Sequence, residues 1–153
     1  MKHKKILFVC AGNTCRSPMA EAAFRAELKR RKIAWYTVSS AGVSARAGTP
    51  MNPDAKQALT EAGIPFSETF KSRRLDNKTV EEAFAVICMT EDLRAAIGRD
   101  SVTTFLGLAG REIPDPYGQG IDAYRVTLRM IRECIPKIIS QLGMEEKNQG
   151  GNS

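Results

Sequence analysis

A continuous apolar run followed at once by a short polar loop and a helix-forming segment constrains the fold of this chain most strongly. Residues 4–10, KKILFVC, contain four consecutive large apolar side chains, which is typical of a strand buried on both faces. After the loop AGNTCRS, apolar residues recur at helical spacing up to Leu28. Because a strand buried on both faces needs helices above and below it, the chain is predicted to adopt an α/β fold with a parallel sheet.

The rest of the chain continues this alternation of strands and helices. Apolar segments predict four strands, at residues 4–10, 34–42, 83–89 and 101–106. Helices are predicted after each of the first three strands, with Ser17, Asn52 and Thr90 as N-caps. Pro18 and Pro53 are each expected at a first helical position. A further helix with one apolar face is predicted over residues 121–142, interrupted by Pro136.

The chain has 153 residues and an ordinary composition, which predict a single domain. We expect a single-domain three-layer sandwich over residues 1–143, with helices on both faces of a parallel sheet. The polar segment 144–153 is predicted to be a disordered tail.

Several classes of protein are disfavoured by composition. No apolar run is long enough to span a bilayer, and residues 6–12 are too short for a signal peptide, so we expect a cytoplasmic protein with no membrane partner. The four cysteines then stay reduced. Their spacing fits no zinc pattern and the chain has one histidine, so no metal or other cofactor is expected.

The formal net charge is +6, and basic residues cluster at 2–5, 29–32 and 71–74. Solvated helix and loop faces are the favoured interpretation. No aromatic residues are interleaved with these clusters, so no nucleic-acid partner is expected. A basic rim that attracts anionic substrates remains an alternative, provided that an anion site lies elsewhere in the chain. We expect a monomer.

The loop AGNTCRS has the chemistry of an anion site. Backbone N–H groups in such a loop can turn inward, and the following helix adds the positive end of its dipole. Gly12 and Asn13 tolerate the backbone geometry that this requires. Arg16 offers a planar fork of donors for two phosphate oxygens. The same field, with the Ser17 hydroxyl, stabilises a thiolate on Cys10, although the spacing alone also fits a buried cysteine and a surface arginine.

The segment VCAGNTCRSPMAE resembles the active-site signature of the low-molecular-weight protein tyrosine phosphatase family. The segments SSAG, CMTEDL and IPDPYG stand where that family has its counterparts, and the likeness extends to about Gly143. The resemblance implies a flavodoxin-like sheet of order 2-1-3-4 and a metal-independent hydrolase with a phosphocysteine intermediate.

The resemblance also implies roles for individual residues. Cys10 is the expected nucleophile, Arg16 a phosphate ligand, and Asp115, held between two prolines, the general acid and then the general base. The expected phosphate-binding and loop-supporting residues are Ala11, Gly12, Asn13, Thr14, Cys15, Ser17 and Ser40. Ser72 is either a further support or an ordinary polar residue. Cys15 is either a reversible disulfide partner of Cys10 or a small core residue.

Thr14 bears on the substrate. Tyrosine-directed members of the family usually carry an aliphatic residue here, and members resembling bacterial protein arginine phosphatases carry threonine. Gly118 and the aromatic-free loop VSARAG also favour phosphoarginine, whereas Tyr117, expected in the substrate pocket, departs from the arginine phosphatase pattern. We therefore expect phosphorylated proteins as partners, phosphoarginine as the substrate group and inorganic phosphate as the product, with phosphotyrosine as the alternative.

Three other functions are less favoured. An arsenate reductase of the same fold needs two further relay cysteines in a mobile segment, whereas Cys88 and Cys134 lie 46 residues apart in a strand and a helix. A cysteine phosphocarrier stores phosphate without hydrolysis, and would need neither Arg16 nor Asp115. A pure binding module would release no phosphate at all.

Overall fold

A parallel sheet of four strands forms the centre of the structure, a computed structural model that describes residues 3–144. The strands are β1 (Lys4–Cys10), β2 (Tyr36–Gly42), β3 (Ala85–Cys88) and β4 (Val102–Thr104). Their order across the sheet is β2-β1-β3-β4, and every pairing is parallel. The predicted strand order is confirmed.

Helices cover both faces of this sheet. They are α1 (Arg16–Arg30), α2 (Pro53–Glu61), α3 (Asn77–Glu82), α4 (Glu91–Ile97), α5 (Phe105–Ala109) and α6 (Ile121–Gln141). Helices α1 and α6 pack against each other, and α4 packs against β3 and β4. Because crossovers are right-handed, the step from β1 to β2 and the opposite step from β3 to β4 place α1 and α4 on opposite faces. All five residues of Ile6–Cys10 are buried, as the predicted three-layer arrangement requires.

The register places the functional edge of the sheet. Cys10 pairs with Gly42 at the end of β2, and Val9 pairs with Cys88 at the end of β3. The carboxyl ends of three strands are therefore level beside the loop that follows β1. The connections leave β1 and β3 toward opposite sides, which makes this edge the switch point where open α/β sheets bind ligands.

Three local predictions differ from the structure. Helix α1 begins at Arg16, so Pro18 is its third residue, and the Ser17 side chain does not cap it. Thr90 stands at the N-cap of α4 without a side-chain capping hydrogen bond. Residues 105 and 106, predicted as the end of the fourth strand, belong to α5, because the Thr104 hydroxyl accepts a hydrogen bond from the Gly107 N–H and starts a helix there.

The other predicted boundaries agree with the structure to within two residues, and one element has no predicted counterpart. Asn52 caps α2 as predicted, its side chain accepting from the Asp54 N–H, with Pro53 at the first position. The short helix α3, capped by the Asp76 side chain, was not predicted. Its six residues are too few to show a hydrophobic period.

The predicted tail is only partly within the described residues. Its first residue, Met144, is buried and donates its N–H to the Ile139 carbonyl. Residues 145–153 lie outside the described range, so the division at Gly143 stays a prediction. Among residues 3–144, no helix is both long enough and apolar enough to cross a membrane.

Candidate active site

The loop between β1 and α1 surrounds the sulfur of Cys10. The Ser17 hydroxyl oxygen lies 2.9 Å from Cys10 Sγ, and the Asn13 N–H donates to the same sulfur at 3.2 Å. The first turn of α1 adds the positive end of its dipole from Arg16 onward. Cys10 is 3% exposed. The sulfur is thus buried with two polar neighbours, the Ser17 hydroxyl and the Asn13 N–H.

Asn13, a residue of this loop, connects the loop to α1, to β2 and to the segment around Arg73. It is fully buried and adopts a left-handed backbone conformation with φ of 56°. Its side-chain oxygen accepts from the Arg73 N–H at 2.9 Å, and its side-chain nitrogen donates to Ser17 Oγ at 2.8 Å and to Ser40 Oγ at 3.0 Å. Ser40 then donates to Glu21 at 2.6 Å. Because a backbone N–H can only donate, this network orients the Asn13 amide, and the amide in turn positions Ser17 beside the sulfur.

Gly42, at the end of β2, lets the loop approach the sheet closely. A Cβ atom at this position would lie 2.5 Å from the Ala11 carbonyl oxygen and 2.9 Å from the Asn13 nitrogen. The next two residues hold the loop through backbone bonds at 3.0 Å, from Val43 N–H to the Cys10 carbonyl and from Ser44 N–H to the Ala11 carbonyl. Only glycine fits between the strand and the loop.

Arg16 and Asp115 meet at one side of the loop. The buried Arg16 guanidinium donates through Nη1 to the Ile113 carbonyl at 2.9 Å, and its Nη2 lies 3.8 Å from Asp115 Oδ2. Ile113 is tied to the sheet by its N–H, which donates to the carbonyl of Met89 just after β3. Asp115 Oδ1 accepts from the Tyr117 N–H at 3.1 Å, and its side chain is 52% exposed. The arginine is thus anchored, while the carboxylate stays open to solvent.

These residues enclose a cavity of about 190 Å³. It is lined by Cys10, Gly12, Thr14, Cys15, Arg16, Asp115 and Tyr117. Thr14 is half-buried, and Tyr117 is 69% exposed. Asn13, Ser17 and Ser40 lie behind the loop, and Ala11 faces the loop that follows β2. The structure therefore brings the sequence-predicted nucleophile, phosphate ligand, acid and pocket residues into one place.

The remaining cysteines differ from Cys10 in their surroundings. Cys15 Sγ lies 3.2 Å from the Tyr124 hydroxyl, and burial raises the pKa of its thiol. Burial raises the pKa of Cys88 to about 12, and it also raises the pKa of Cys134. All four cysteines are free thiols. Cys88 and Cys134 are both buried, which disfavours the mobile thiol relay of an arsenate reductase.

Sequence reasoning missed several supporting groups. The Tyr124 hydroxyl, the Ile113 carbonyl and the Arg73 N–H contact the site from elements far from Cys10 in the chain, and the Glu21 carboxylate contacts it from α1. Only Tyr124 had a signal in the sequence, since a tyrosine on an apolar helix face needs a partner for its hydroxyl. Backbone groups of loops carry no such signal.

Ser72 supports a neighbouring loop instead of the 11–15 loop. Its hydroxyl donates to the Arg46 carbonyl at 2.5 Å and accepts from the Thr49 N–H at 3.0 Å. It therefore joins residues 46–49 to the segment that contains Arg73. No hydrogen bond connects its side chain directly to the loop around Cys10 within the described part of the chain.

Comparison with known proteins places this chain in a family. Residues 5–148 match the family model described as low molecular weight phosphotyrosine protein phosphatase. A protein-arginine-phosphatase of Bacillus subtilis (strain 168) is 34% identical over 151 residues, covering 93% of this chain and 99% of that protein. A probable low molecular weight protein-tyrosine-phosphatase EpsP of Ralstonia nicotianae is 33% identical over 138 residues, covering 86% of this chain and 91% of its own.

A solved structure bears on the chemistry of the nucleophile. A cysteine-to-serine mutant of the YwlE arginine phosphatase, with a phosphorylated active site serine, superposes with a TM-score of 0.84. It is 34% identical, and the match covers 94% of this chain and 98% of that one. In that protein a side chain in place of the active-site cysteine carries the phosphoryl group covalently.

Proposed function

Because the chain belongs to the low molecular weight phosphotyrosine protein phosphatase family and is a cysteine-dependent phosphatase of that type, we propose that Cys10, Arg16 and Asp115 carry its reaction. One observation supports this most: the Cys10 sulfur, which accepts from the Asn13 N–H and contacts the Ser17 hydroxyl, lines the same cavity as an anchored guanidinium and a half-exposed carboxylate. A nucleophile, an oxyanion ligand and a proton donor are the three groups that phosphoryl transfer to cysteine requires.

In the first step, the Cys10 thiolate attacks the phosphorus atom of the substrate. The S–P bond forms as the bond to the leaving group breaks, and Asp115 gives its proton to the leaving atom. Arg16 and the N–H groups of the 11–15 loop bind the equatorial phosphoryl oxygens. Ser17 and the Asn13 N–H stabilise the thiolate before the attack.

In the second step, the Asp115 carboxylate takes a proton from a water molecule that attacks the phosphocysteine. The S–P bond breaks, the thiolate is restored and inorganic phosphate leaves. The 52% exposure of Asp115 suits this role, because the same group must meet first a leaving group and then water.

Phosphorylated proteins are the substrates in this proposal, and phosphoarginine is the group removed. Thr14 lines the cavity, and its Oγ1 lies 3.6 Å from Cys15 Sγ. A Cβ atom at Gly12 would lie 3.9 Å from the same oxygen. A hydroxyl there can accept a hydrogen bond from a guanidinium, and it offers less apolar area to a phenol ring than isoleucine would. The Bacillus subtilis relative carries the name protein-arginine-phosphatase.

Phosphotyrosine is the second candidate substrate. Tyr117 stands at the cavity with 69% of its surface exposed, so its ring is available to pack against a substrate ring. The Ralstonia relative is named as a probable protein-tyrosine-phosphatase. A monomeric state, a cytoplasmic location and the lack of a nucleic-acid partner stay predictions.

The test is phosphate release from matched phosphoarginine and phosphotyrosine peptides, measured as kcat/KM with Cys10→Ser as the blank. We expect a phosphoarginine preference of at least tenfold. Thr14→Val removes only the hydroxyl, Thr14→Ile adds apolar volume, and Thr14→Ser keeps the hydroxyl as the control. Both apolar variants should shift the ratio toward phosphotyrosine, by a factor of about ten for the loss of a hydrogen bond to a charged group, while Thr14→Ser keeps it.

Other outcomes would change the proposal in different ways. A phosphotyrosine preference in the wild type would keep the nucleophile and acid but reverse the substrate. An unchanged ratio in all three variants would remove Thr14 as the selector. Phosphate release by Cys10→Ser would remove the nucleophile assignment.

A further inference from the structure

A strip of exposed basic side chains lies beside the candidate active site. We call it the basic strip; it consists of Arg46, Lys71, Arg73 and Arg74. All four residues are exposed, and none forms an ion pair with any residue in the range 3–144. Three of the four belong to the cluster KSRR at 71–74, which the proposed reaction does not use.

Backbone contacts place the strip close to the 11–15 loop. Arg74 pairs with Gly42 in an isolated parallel bridge, and Gly42 lies directly against Ala11 and Asn13. The Arg73 N–H donates to the Asn13 side chain. The strip is thus about two strand spacings, roughly 10 Å, from the loop, a distance comparable to the Debye length at physiological salt.

The two segments that form the strip are held to each other. The Ser72 hydroxyl donates to the Arg46 carbonyl, and the Gly48 N–H donates to the Ser72 carbonyl at 2.9 Å. The Ser72 N–H donates to the Thr49 carbonyl at 2.8 Å. The backbone that carries the charges is therefore built in place, so a ligand need not order it on binding.

The charge of the strip is not neutralised locally, in contrast to other basic clusters. On α1, Glu27 pairs with both Arg30 and Arg31 at 2.6 and 2.7 Å. Beside the strip, the carboxylate of Asp76 instead accepts hydrogen bonds from the backbone and hydroxyl of Thr79 as the cap of α3. Uncompensated positive charge next to an anion-binding cavity attracts a partner that carries more negative charge than one phosphoryl group.

We propose that the basic strip binds acidic side chains that flank the phosphorylated residue of a protein substrate. The proposal rests on the proposed function and adds a sequence preference to it: Asp or Glu residues near the phosphorylated position. A protein segment suits the strip better than a nucleic acid does, because no exposed aromatic residue stands among the four cations to stack on a base. Phe70, the aromatic residue next to the cluster, packs against the core.

The test compares two variants of equal total charge. Lys71→Glu/Arg74→Glu reverses two charges of the strip, and Arg132→Glu/Lys137→Glu reverses two exposed charges on α6. Each lowers the net charge from +6 to 6 − 4 = +2. The control positions lie roughly 16 and 24 Å along α6 from its start near the cavity. The side chains of Lys71 and Arg74 form no hydrogen bond with another described residue.

The substrates are phosphopeptides with three aspartates, or with three asparagines, around one phosphorylated residue, made in phosphoarginine and phosphotyrosine forms. Para-nitrophenyl phosphate reports the basal chemistry. In the wild type and the α6 control, the acidic peptide should have about tenfold higher kcat/KM than the neutral one. In the strip variant this preference should disappear, with para-nitrophenyl phosphate hydrolysis within twofold of wild type. Raising the salt concentration from 0.05 to 0.5 M shortens the Debye length from about 14 Å to about 4 Å. The preference of the wild type for the acidic peptide should then disappear.

Three results would overturn this inference but not the proposed function. Equal kcat/KM for the acidic and neutral peptides in the wild type would show that the strip does not bind the acidic side chains that flank the phosphorylated residue. Equal loss in the strip and α6 variants would assign the effect to net charge. If a single-stranded oligonucleotide competed with the acidic peptide and lost affinity only in the strip variant, nucleic acid would replace the acidic segment as the ligand. No release from any substrate by folded wild-type protein would instead overturn the proposed function, and this inference with it.

Discussion

At the scale of single residues, Asn13 does more for the site than its position in a loop suggests. It combines a left-handed backbone with three side-chain hydrogen bonds, and all three hold groups that shape the surroundings of Cys10. An aspartate would lose both donors to Ser17 and Ser40. A glycine would keep the backbone but lose every side-chain bond.

Removing this side chain should lower stability and turnover together. Asn13→Gly leaves the Arg73 N–H without its acceptor and removes one hydrogen bond each from the Ser17 and Ser40 hydroxyls, which costs about 2–4 kcal/mol of unfolding free energy. Asn13→Ala should cost about 1 kcal/mol more, because alanine at φ of 56° is strained. Urea unfolding of both variants measures the difference. Equal stability of the two variants would show that the backbone conformation carries no strain.

The effect of replacing Asp115 on kcat should grow with the need of the substrate's leaving group for a proton. Asp115→Asn keeps the acceptor for the Tyr117 N–H but transfers no proton, so kcat for poor leaving groups should fall by about 10²–10⁴. For para-nitrophenyl phosphate, whose phenolate leaves readily, we expect a much smaller loss. Asp122→Asn, at an exposed carboxylate on α6, is the matched control. Equal slowing of both substrates by Asp115→Asn would argue against an acid role.

At the scale of elements, α6 connects the rim of the cavity to the far end of the molecule. It begins four residues after Tyr117, packs against α1, and carries the Tyr124 hydroxyl to Cys15. Its apolar face follows the predicted period and places Ile131 and Ile138 in the core. Pro136 lies inside the helix without ending it, although proline has no N–H to donate to the carbonyl of Arg132.

Restoring that donor should stabilise the protein. Pro136 is exposed, so Pro136→Ala creates no cavity and permits the missing helical hydrogen bond. The greater freedom of the unfolded chain offsets part of the gain, leaving about 1–2 kcal/mol. Lys137→Ala, at the next exposed position, should change the unfolding free energy by less than about 0.5 kcal/mol. A lower urea midpoint for Pro136→Ala would mean that the proline shapes the packing of α6.

At the scale of the whole molecule, buried thiols make the fold sensitive to alkali. Burial raises the pKa of Cys88 from 9.0 to about 12, and it raises the pKa values of Cys15 and Cys134 as well. Above pH 9, these thiols ionise in the unfolded chain while they remain protonated in the folded one. The folded state then binds more protons, so the stability present below pH 9 is lost as the pH rises toward 12.

Cys88 alone should account for a measurable part of this slope. We expect the unfolding free energy of the wild type to fall more steeply than that of Cys88→Ala between pH 9 and pH 11, by about 1 kcal/mol per pH unit. At pH 7 the variant should be less stable, because its missing sulfur leaves a small cavity. Urea titrations at four pH values compare the two proteins. Parallel curves above pH 9 would show that Cys88 ionises equally in both states.

Much of the fold follows from local patterns in the chain. The run from Ile6 to Val9 predicts a strand covered on both faces, and the period of α6 predicts its buried side. The capping side chain of Asn52 also acts as its sequence position indicates. Ser17 does not, because its hydroxyl bonds to Cys10 and Asn13, and these tertiary contacts override its tendency to cap a helix. The roles of the site residues stay predictions, although their predicted neighbourhood is what the structure shows.

The sequence by itself determined the alternation of strands and helices, the loop of donors after β1, and the basic cluster at 71–74, because each depends on residues close together in the chain. Only the tertiary structure decided which distant groups meet at the loop. The Arg73 N–H reaches Asn13, the Ile113 carbonyl reaches Arg16, and the Tyr124 hydroxyl reaches Cys15. These contacts follow from strand order and register, which bring chain segments up to 109 residues apart together. A pattern read along the chain carries no information about such distances, since backbone donors and acceptors are the same at every residue.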